Sequence, residues 1–226
     1  MSRISTALQT LVGVVLAALL LSGCHTVAPR LFVKRPADDS LDRAISKLWA
    51  EEIRRVARDG DWLLGRSYGK PGVAIVALTT GEEFSHAAVV DISHDTVVEA
   101  VHPQVQEISL ERFVHRYRYI AVVRNPRLSD DERRATIGLA RAEVGAEFDL
   151  GGMVGFDNPD RWYCTELVWW ANGMDAEFGR PTIIEPNEML DYGQLIYFSG
   201  RRDDPQIQAI AAARRAAEHG ADEPAY

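Results

Sequence analysis

Cysteine is scarce in this chain: 2 among 226 residues, Cys24 and Cys164. Neither belongs to a Cys-x-x-Cys pair and there is no His-Glu-x-x-His, so the clustered ligands of a zinc site are missing and no metal or cofactor is expected. Positive charge is thin as well. Lysine and arginine number 25 against 33 acidic residues, for a net charge of −8. With no basic cluster to neutralise phosphates, nucleic acid is excluded as an expected partner. The stretch Gly65-Arg66-Ser67-Tyr68-Gly69-Lys70-Pro71 fails as a phosphate loop. Its glycine spacing is short, and Pro71 stands where a magnesium-holding hydroxyl belongs. No wall-binding repeat is recognisable. The apolar run near the start, Leu11 to Leu21, is too short to span a bilayer comfortably.

That run has another use. Arg3 precedes it and Leu21-Ser22-Gly23-Cys24 ends it, the layout of a signal peptide. The ending resembles the lipobox of bacterial lipoproteins, which implies that residues 1–23 are removed and that Cys24 is acylated. Several acyl chains on one residue anchor stably in a membrane. An uncleaved membrane helix is the alternative. His25 stands where lipoproteins kept at the inner membrane usually carry aspartate, so the resemblance places the protein in a bacterial cell envelope, and on the outer membrane facing the periplasm if the host has two membranes. Residues 24–39 hold Pro29, Pro36 and a polar mix, and read as a tether. The 46% of hydrophobic residues suffices for one core, expected over residues 40–200.

Within that span the pattern is α+β. Leu41, Ala44, Ile45, Leu48, Trp49, Ile53 and Val56 recur at helical spacing behind Ser40 as the expected cap. Short apolar or β-branched runs follow at Trp62–Leu64, Val73–Leu78, Ala87–Ile92, Thr96–Val101 and Tyr119–Val123, and predict an antiparallel sheet or small barrel. Ser129-Asp130-Asp131-Glu132 reads as a capped helix start running towards Val144 and Gly145. A glycine-containing loop from Gly151 to Arg161 leads into a helix beginning at Cys164. A last strand, Leu195–Phe198, precedes an Ala-rich tail over 201–226, expected to be a surface helix.

With Cys24 consumed by a lipid, Cys164 is a lone thiol in an oxidising compartment. In the first turn of a helix it meets unpaired N–H groups and the positive end of the dipole, which favour thiolate and can hold an oxyanion. A nucleophilic thiol needs a base, and the base needs an orienting partner. His25 and His219 fall in tether and tail, and His115 in a basic stretch. His86 opens a strand, and Glu99 interrupts the apolar run of the next one, where an unpaired carboxylate would be costly. Adjacent antiparallel strands can bring the two together on one face. On spacing alone, a satisfied core histidine and an edge carboxylate read equally well.

The motifs Gly60-Asp61-Trp62-Leu63-Leu64, Phe84-Ser85-His86-Ala87-Ala88-Val89-Val90, Val97-Val98-Glu99-Ala100-Val101, Phe148-Asp149 and Tyr163-Cys164-Thr165-Glu166-Leu167-Val168 occur in that order. Together they resemble the permuted NlpC-type papain-like hydrolases, the YaeF/YiiX group, over roughly Ser40 to Phe198. In that group the histidine strand precedes the cysteine helix. The resemblance implies a permuted papain-like fold with Cys164 as nucleophile, His86 as base and Glu99 as the polar third member. The more distantly similar lecithin:retinol acyltransferase-like proteins place a second histidine third, so Glu99 points to the bacterial hydrolase branch. Tyr163 is a weaker candidate for the oxyanion, with packing as its other reading. Asp61 and Asp149 read as turn-fixing residues, Glu166 as a helix-start charge, and Gly151–Arg161 as a candidate substrate loop.

The expected function is a lipid-anchored cysteine hydrolase cleaving an amide-type or ester bond through a thioester, on a peptide, amide or lipid substrate of the envelope. The alternatives are acyl transfer or thioester hydrolysis by the same machinery, and a noncatalytic envelope-binding lipoprotein.

Overall fold

The computed structural model describes residues 35–68, 83–156 and 158–221, with side chains through 217. The signal and lipobox residues, the strand expected at Val73–Leu78 and most of the tether lie outside them. Residues from Arg35 onward form one folded unit.

Helix α1 spans Asp39–Val56. Its cap is Asp38, two residues before the expected Ser40: the Asp38 carboxylate accepts from the N–H groups of Ser40 and Leu41, and the Ser40 hydroxyl also donates to it. A carboxylate both satisfies the orphan donors and complements the dipole. The strands follow as β1 Trp62–Ser67, β2 His86–Asp91, β3 Thr96–Val101 and β4 Gln104–Ser109, then helix α2 Leu110–His115 and strand β5 Tyr117–Arg124. Helix α3, Asp130–Ala142, starts on the capping box read from Ser129 and Glu132. Helices α4 Cys164–Ala171, α5 Met174–Phe178 and α6 Met189–Tyr192 precede strand β6 Gln194–Phe198 and helix α7 Pro205–Ala221. Strand β4 and helices α2, α5 and α6 escape the sequence reading. β4 is largely polar and the three helices are short, so none shows a sustained hydrophobic period.

Among the described residues the six strands form one antiparallel sheet in the order β4-β3-β2-β1-β5-β6, with no barrel closure among them. Both faces are covered. Trp62, Leu64, Ala87, Val89, Val98 and Ala121 pack with Ile137, Leu167, Val168 and Trp169 of α3 and α4. The alternate residues Leu63, Ala88, Val90, Val97, Ile120 and Val122 pack with Ile45, Trp49, Ile53, Leu110, Phe113 and Ala211 of α1, α2 and α7. Two-sided burial explains why the central strands read as continuous apolar runs.

The Ala-rich segment is helical as expected, and it also completes the fold. Its Ala211 is buried against the α1 face, and Arg202, fully buried, donates to the carbonyls of Tyr117, Asp42 and Val114 and to the Asp42 carboxylate at 2.9 Å. The packed body therefore continues past residue 200, because Arg202 closes carbonyls from three separate segments.

Candidate active site

The segment before α4 is fastened on both sides. Phe148 and Trp162 form a parallel bridge, and the Asp149 N–H donates to the Trp162 carbonyl at 3.0 Å. The buried Asp149 carboxylate accepts from the N–H groups of Gly152 (2.9 Å) and Asn158 (3.1 Å), which fixes the loop as the sequence suggests. Tyr163 is the extended N-cap of α4, and its N–H donates to Glu166 Oε2 at 3.2 Å. Glu166 is also paired with Arg180. Cys164 thus enters the first helical turn in a fixed orientation, where backbone N–H groups lack helical partners.

His86 is positioned from the sheet. Ser85 ties the start of β2 to the end of β1: its N–H donates to the Gly65 carbonyl at 3.0 Å and its hydroxyl accepts from the Ser67 N–H at 3.0 Å. Opposite His86 in the ladder stands Gly65. A Cβ there would lie 2.4 Å from Cδ1 of Tyr117, whose ring lies parallel to the His86 ring at 5.8 Å and 15°. Glycine is therefore required for the tyrosine plate against the imidazole. The β2–β3 ladder covers Val89 to Asp91 of β2 and leaves Ala87 beyond it, with its N–H near enough to the Cys164 sulfur to favour thiolate.

The three sequence-nominated residues converge. His86 Nε2 donates to Glu99 Oε2 at 2.8 Å, and the Cys164 thiol lies close enough to the ring to act on its charge. A carboxylate only accepts, so the proton sits on Nε2 and Nδ1 is the nitrogen left to take one from the thiol. Burial opposes charge on His86, but hydrogen bonds to Cys164 and Glu99 outweigh it and raise its pKa to about 9. Burial pushes the Cys164 thiol up. The hydrogen bond and charge of His86, then the N–H groups of Ala87 and Thr165, pull it below its usual value. Burial likewise works against ionised Glu99, yet His86 and Arg116 hold it down to about 2. Both shifts run towards thiolate and imidazolium.

Tyr163 has a bracing bond: its hydroxyl oxygen accepts from the Ile184 N–H at 3.0 Å, while Thr165 Oγ1 donates to the Ile184 carbonyl at 2.5 Å. Asp61 closes its turn by accepting from the Arg58 N–H at 2.8 Å and is paired with Arg124 at 2.6 Å. Trp169 is buried in the core, whereas Trp170 is half-buried against Trp162 with centroids 4.7 Å apart. In the loop from Gly151 to Arg161 lies a short 3₁₀ turn, Gly152–Val154, and Val154 and Phe156 are exposed beside Leu150.

Two contacts of Glu99 were not foreseen. Arg116 Nη2 donates to both carboxylate oxygens, at 2.6 Å to Oε1 and 2.5 Å to Oε2, and Gln106 Nε2 donates to Oε1 at 2.7 Å. Gln106 lies directly opposite Glu99 in the β3–β4 ladder, so recognising β4 as a hairpin partner would have nominated it. Arg116 carries no such signal, since a basic residue at a helix end is ordinary.

The family model described as "Permuted papain-like amidase enzyme, YaeF/YiiX, C92 family" matches residues 57–188, the span that holds His86, Glu99 and Cys164. No curated protein matches the chain. Among solved structures, the chain is similar to a crystal structure of metalloprotein yiiX from Escherichia coli O157:H7, at 18% identity and a TM-score of 0.49, with 64% of this chain and 97% of that one covered.

Proposed function

This chain belongs to the permuted papain-like amidase family, and from that premise we propose that it is a cysteine hydrolase in which Cys164 is the nucleophile, His86 the base and Glu99 the orienting carboxylate. One observation carries the reading. A thiol in the first turn of a helix lies beside an imidazole whose Nε2 is held at 2.8 Å by a fully buried carboxylate. In this reading the Cys164 proton passes to His86 Nδ1, and the thiolate attacks a carbonyl carbon. The backbone N–H of Cys164 receives the developing oxyanion. Imidazolium returns the proton to the leaving amine or alcohol as the C–N or C–O bond breaks, which leaves a thioester. Water, deprotonated by His86, then releases the acid and frees the thiol. Tyr163 braces the loop through Ile184 and is given no chemical step.

Residues 1–23 are proposed as a signal peptide and Cys24 as an acylated anchor that holds the enzyme in a bacterial envelope, with peptide, amide or lipid substrates. Exposed Leu150, Val154 and Phe156 on the loop leading into Cys164 favour a substrate with an acyl or otherwise apolar part. The test is intact-mass detection of an adduct after incubation with envelope extract. A mass increment that maps to Cys164 and is absent from Cys164→Ala identifies the acyl group, and equal labelling of the two proteins rejects the assignment.

A further inference from the structure

Glu99 poses an electrostatic problem that a histidine alone does not solve. It is fully buried in strand β3, flanked by Val98 and Ala100. Whenever the proton is on the thiol His86 carries no charge, and a neutral imidazole is weak compensation for a buried anion. Unassisted, the carboxylate would take up a proton, or draw the Nε2 proton off the ring and leave the imidazole in the wrong state to receive one from Cys164. The fold supplies a second cation. Arg116 forms the C-cap of α2, its N–H bonded to the carbonyls of Phe113 and Val114, and its guanidinium reaches both Glu99 oxygens.

The arginine is itself held. Its guanidinium lies over the rings of Phe113 at 5.5 Å and Tyr117 at 5.6 Å. Tyr117, the next residue, stacks on His86. Two consecutive residues at the α2–β5 junction therefore fix the third member and the face of the base. The groups around Glu99 are His86 from β2, Gln106 from β4, and Arg116 with Tyr117 from the junction, while Cys164 acts through His86. Burial pushes the Tyr117 phenol well above its usual value, so His86, Glu99 and Cys164 remain as the titrating groups.

Resting on the triad reading above, we propose that Arg116 is a positioning residue that keeps Glu99 ionised and fixed as acceptor for His86 Nε2–H, so that only Nδ1 exchanges a proton with Cys164. The test needs no substrate: the rate of Cys164 alkylation by iodoacetamide in the full chain, followed by mass from about pH 4 to about pH 9. Wild-type protein is expected to react well below the pH at which an ordinary thiol does. In Arg116→Gln, shown to be folded by circular dichroism, the acid limb is expected to move up by about one to three pH units, the size of an arginine's effect on a neighbouring carboxylate. Arg116→Lys keeps a charge without the bridging geometry and is expected to fall between the two. A folded Arg116→Gln whose acid limb coincides with wild type overturns the inference, because an arginine that served only packing would alter stability without moving the limb. If Arg116→Gln does not fold, Arg116→Lys decides: a displaced limb supports the inference and an unmoved one overturns it. Wild-type Cys164 reacting as an ordinary thiol would overturn the triad reading itself, and this inference with it.

Discussion

At the start of β2, Glu99 meets Arg116 and His86; on the α1 face, Asp42 meets Arg202, Arg35 and His115. The ingredients are similar and the two histidines are shifted in opposite directions. His86 is raised to about 9, because a thiol and a carboxylate lie beside it and outweigh burial. His115 is lowered, by burial and then by the charge of Arg35. Its Nε2 lies 2.7 Å from Arg35 Nη2, which can only donate, so that nitrogen carries no proton and Nδ1 faces Ser46 Oγ at 3.0 Å. One cluster sets a carboxylate and a thiol beside its imidazole; the other sets a cation on Nε2 and leaves Asp42 3.8 Å from Nδ1. What a buried carboxylate–arginine–histidine set does is decided by which group takes the second ring nitrogen.

The comparison is broken most directly by removing each histidine. His86→Ala is expected to lower the rate of Cys164 alkylation at pH 6 by about 10²–10³-fold, since the thiol returns towards its ordinary ionisation. His115→Ala is expected to leave that rate within about twofold. Equal effects would mean that the two clusters do not differ as argued.

On the structural side the larger effect belongs to Arg202. Arg202→Met removes donors from three carbonyls and from buried Asp42 and is expected to destabilise the fold by about 3 kcal/mol or more in urea denaturation, with the alkylation rate of the folded protein unchanged. Gly65→Ala sharpens the boundary between packing and chemistry. Its methyl would displace the Tyr117 ring, so a loss of about 1–3 kcal/mol should come with slower Cys164 labelling. Destabilisation with unchanged labelling would show that the tyrosine plate does not hold the base.

The smallest expected effects are opposite slopes of stability with pH. His86 binds its proton more tightly folded than unfolded, so its contribution is full below about pH 6.5 and is lost as pH rises through about 9. His115 binds its proton more weakly when folded. Its contribution is present above about pH 6.5 and is lost as pH falls through its lowered value. Denaturation curves of His86→Asn should therefore flatten on the alkaline side and those of His115→Gln on the acid side. Matching slopes in both variants would contradict the assignment of charge.

Much of this was legible beforehand. The α+β class, the Ser129 capping box, the start of α4 at Cys164 and the residues His86, Glu99 and Cys164 all follow from local pattern and motif order. Such signals are carried by residues a few positions apart. The cap at Asp38 was misplaced by two residues because adjacent Asp, Asp and Ser all suit that position. β4 was missed because Gln104, Gln106 and Glu107 dilute its alternation, and with it went Gln106.

Which chemical groups exist, in what order and on what kind of element is written along the chain, because backbone hydrogen bonding and hydrophobic period are local. How the charges are shared is set by the packing of distant segments. Arg116 is 17 residues from Glu99 and Arg202 is 160 from Asp42. Nothing in either neighbourhood tells one arginine to pair with the carboxylate that holds His86 and the other to clasp two ends of the domain. That division follows from sheet order and helix packing, which place each guanidinium beside the one buried carboxylate it can reach.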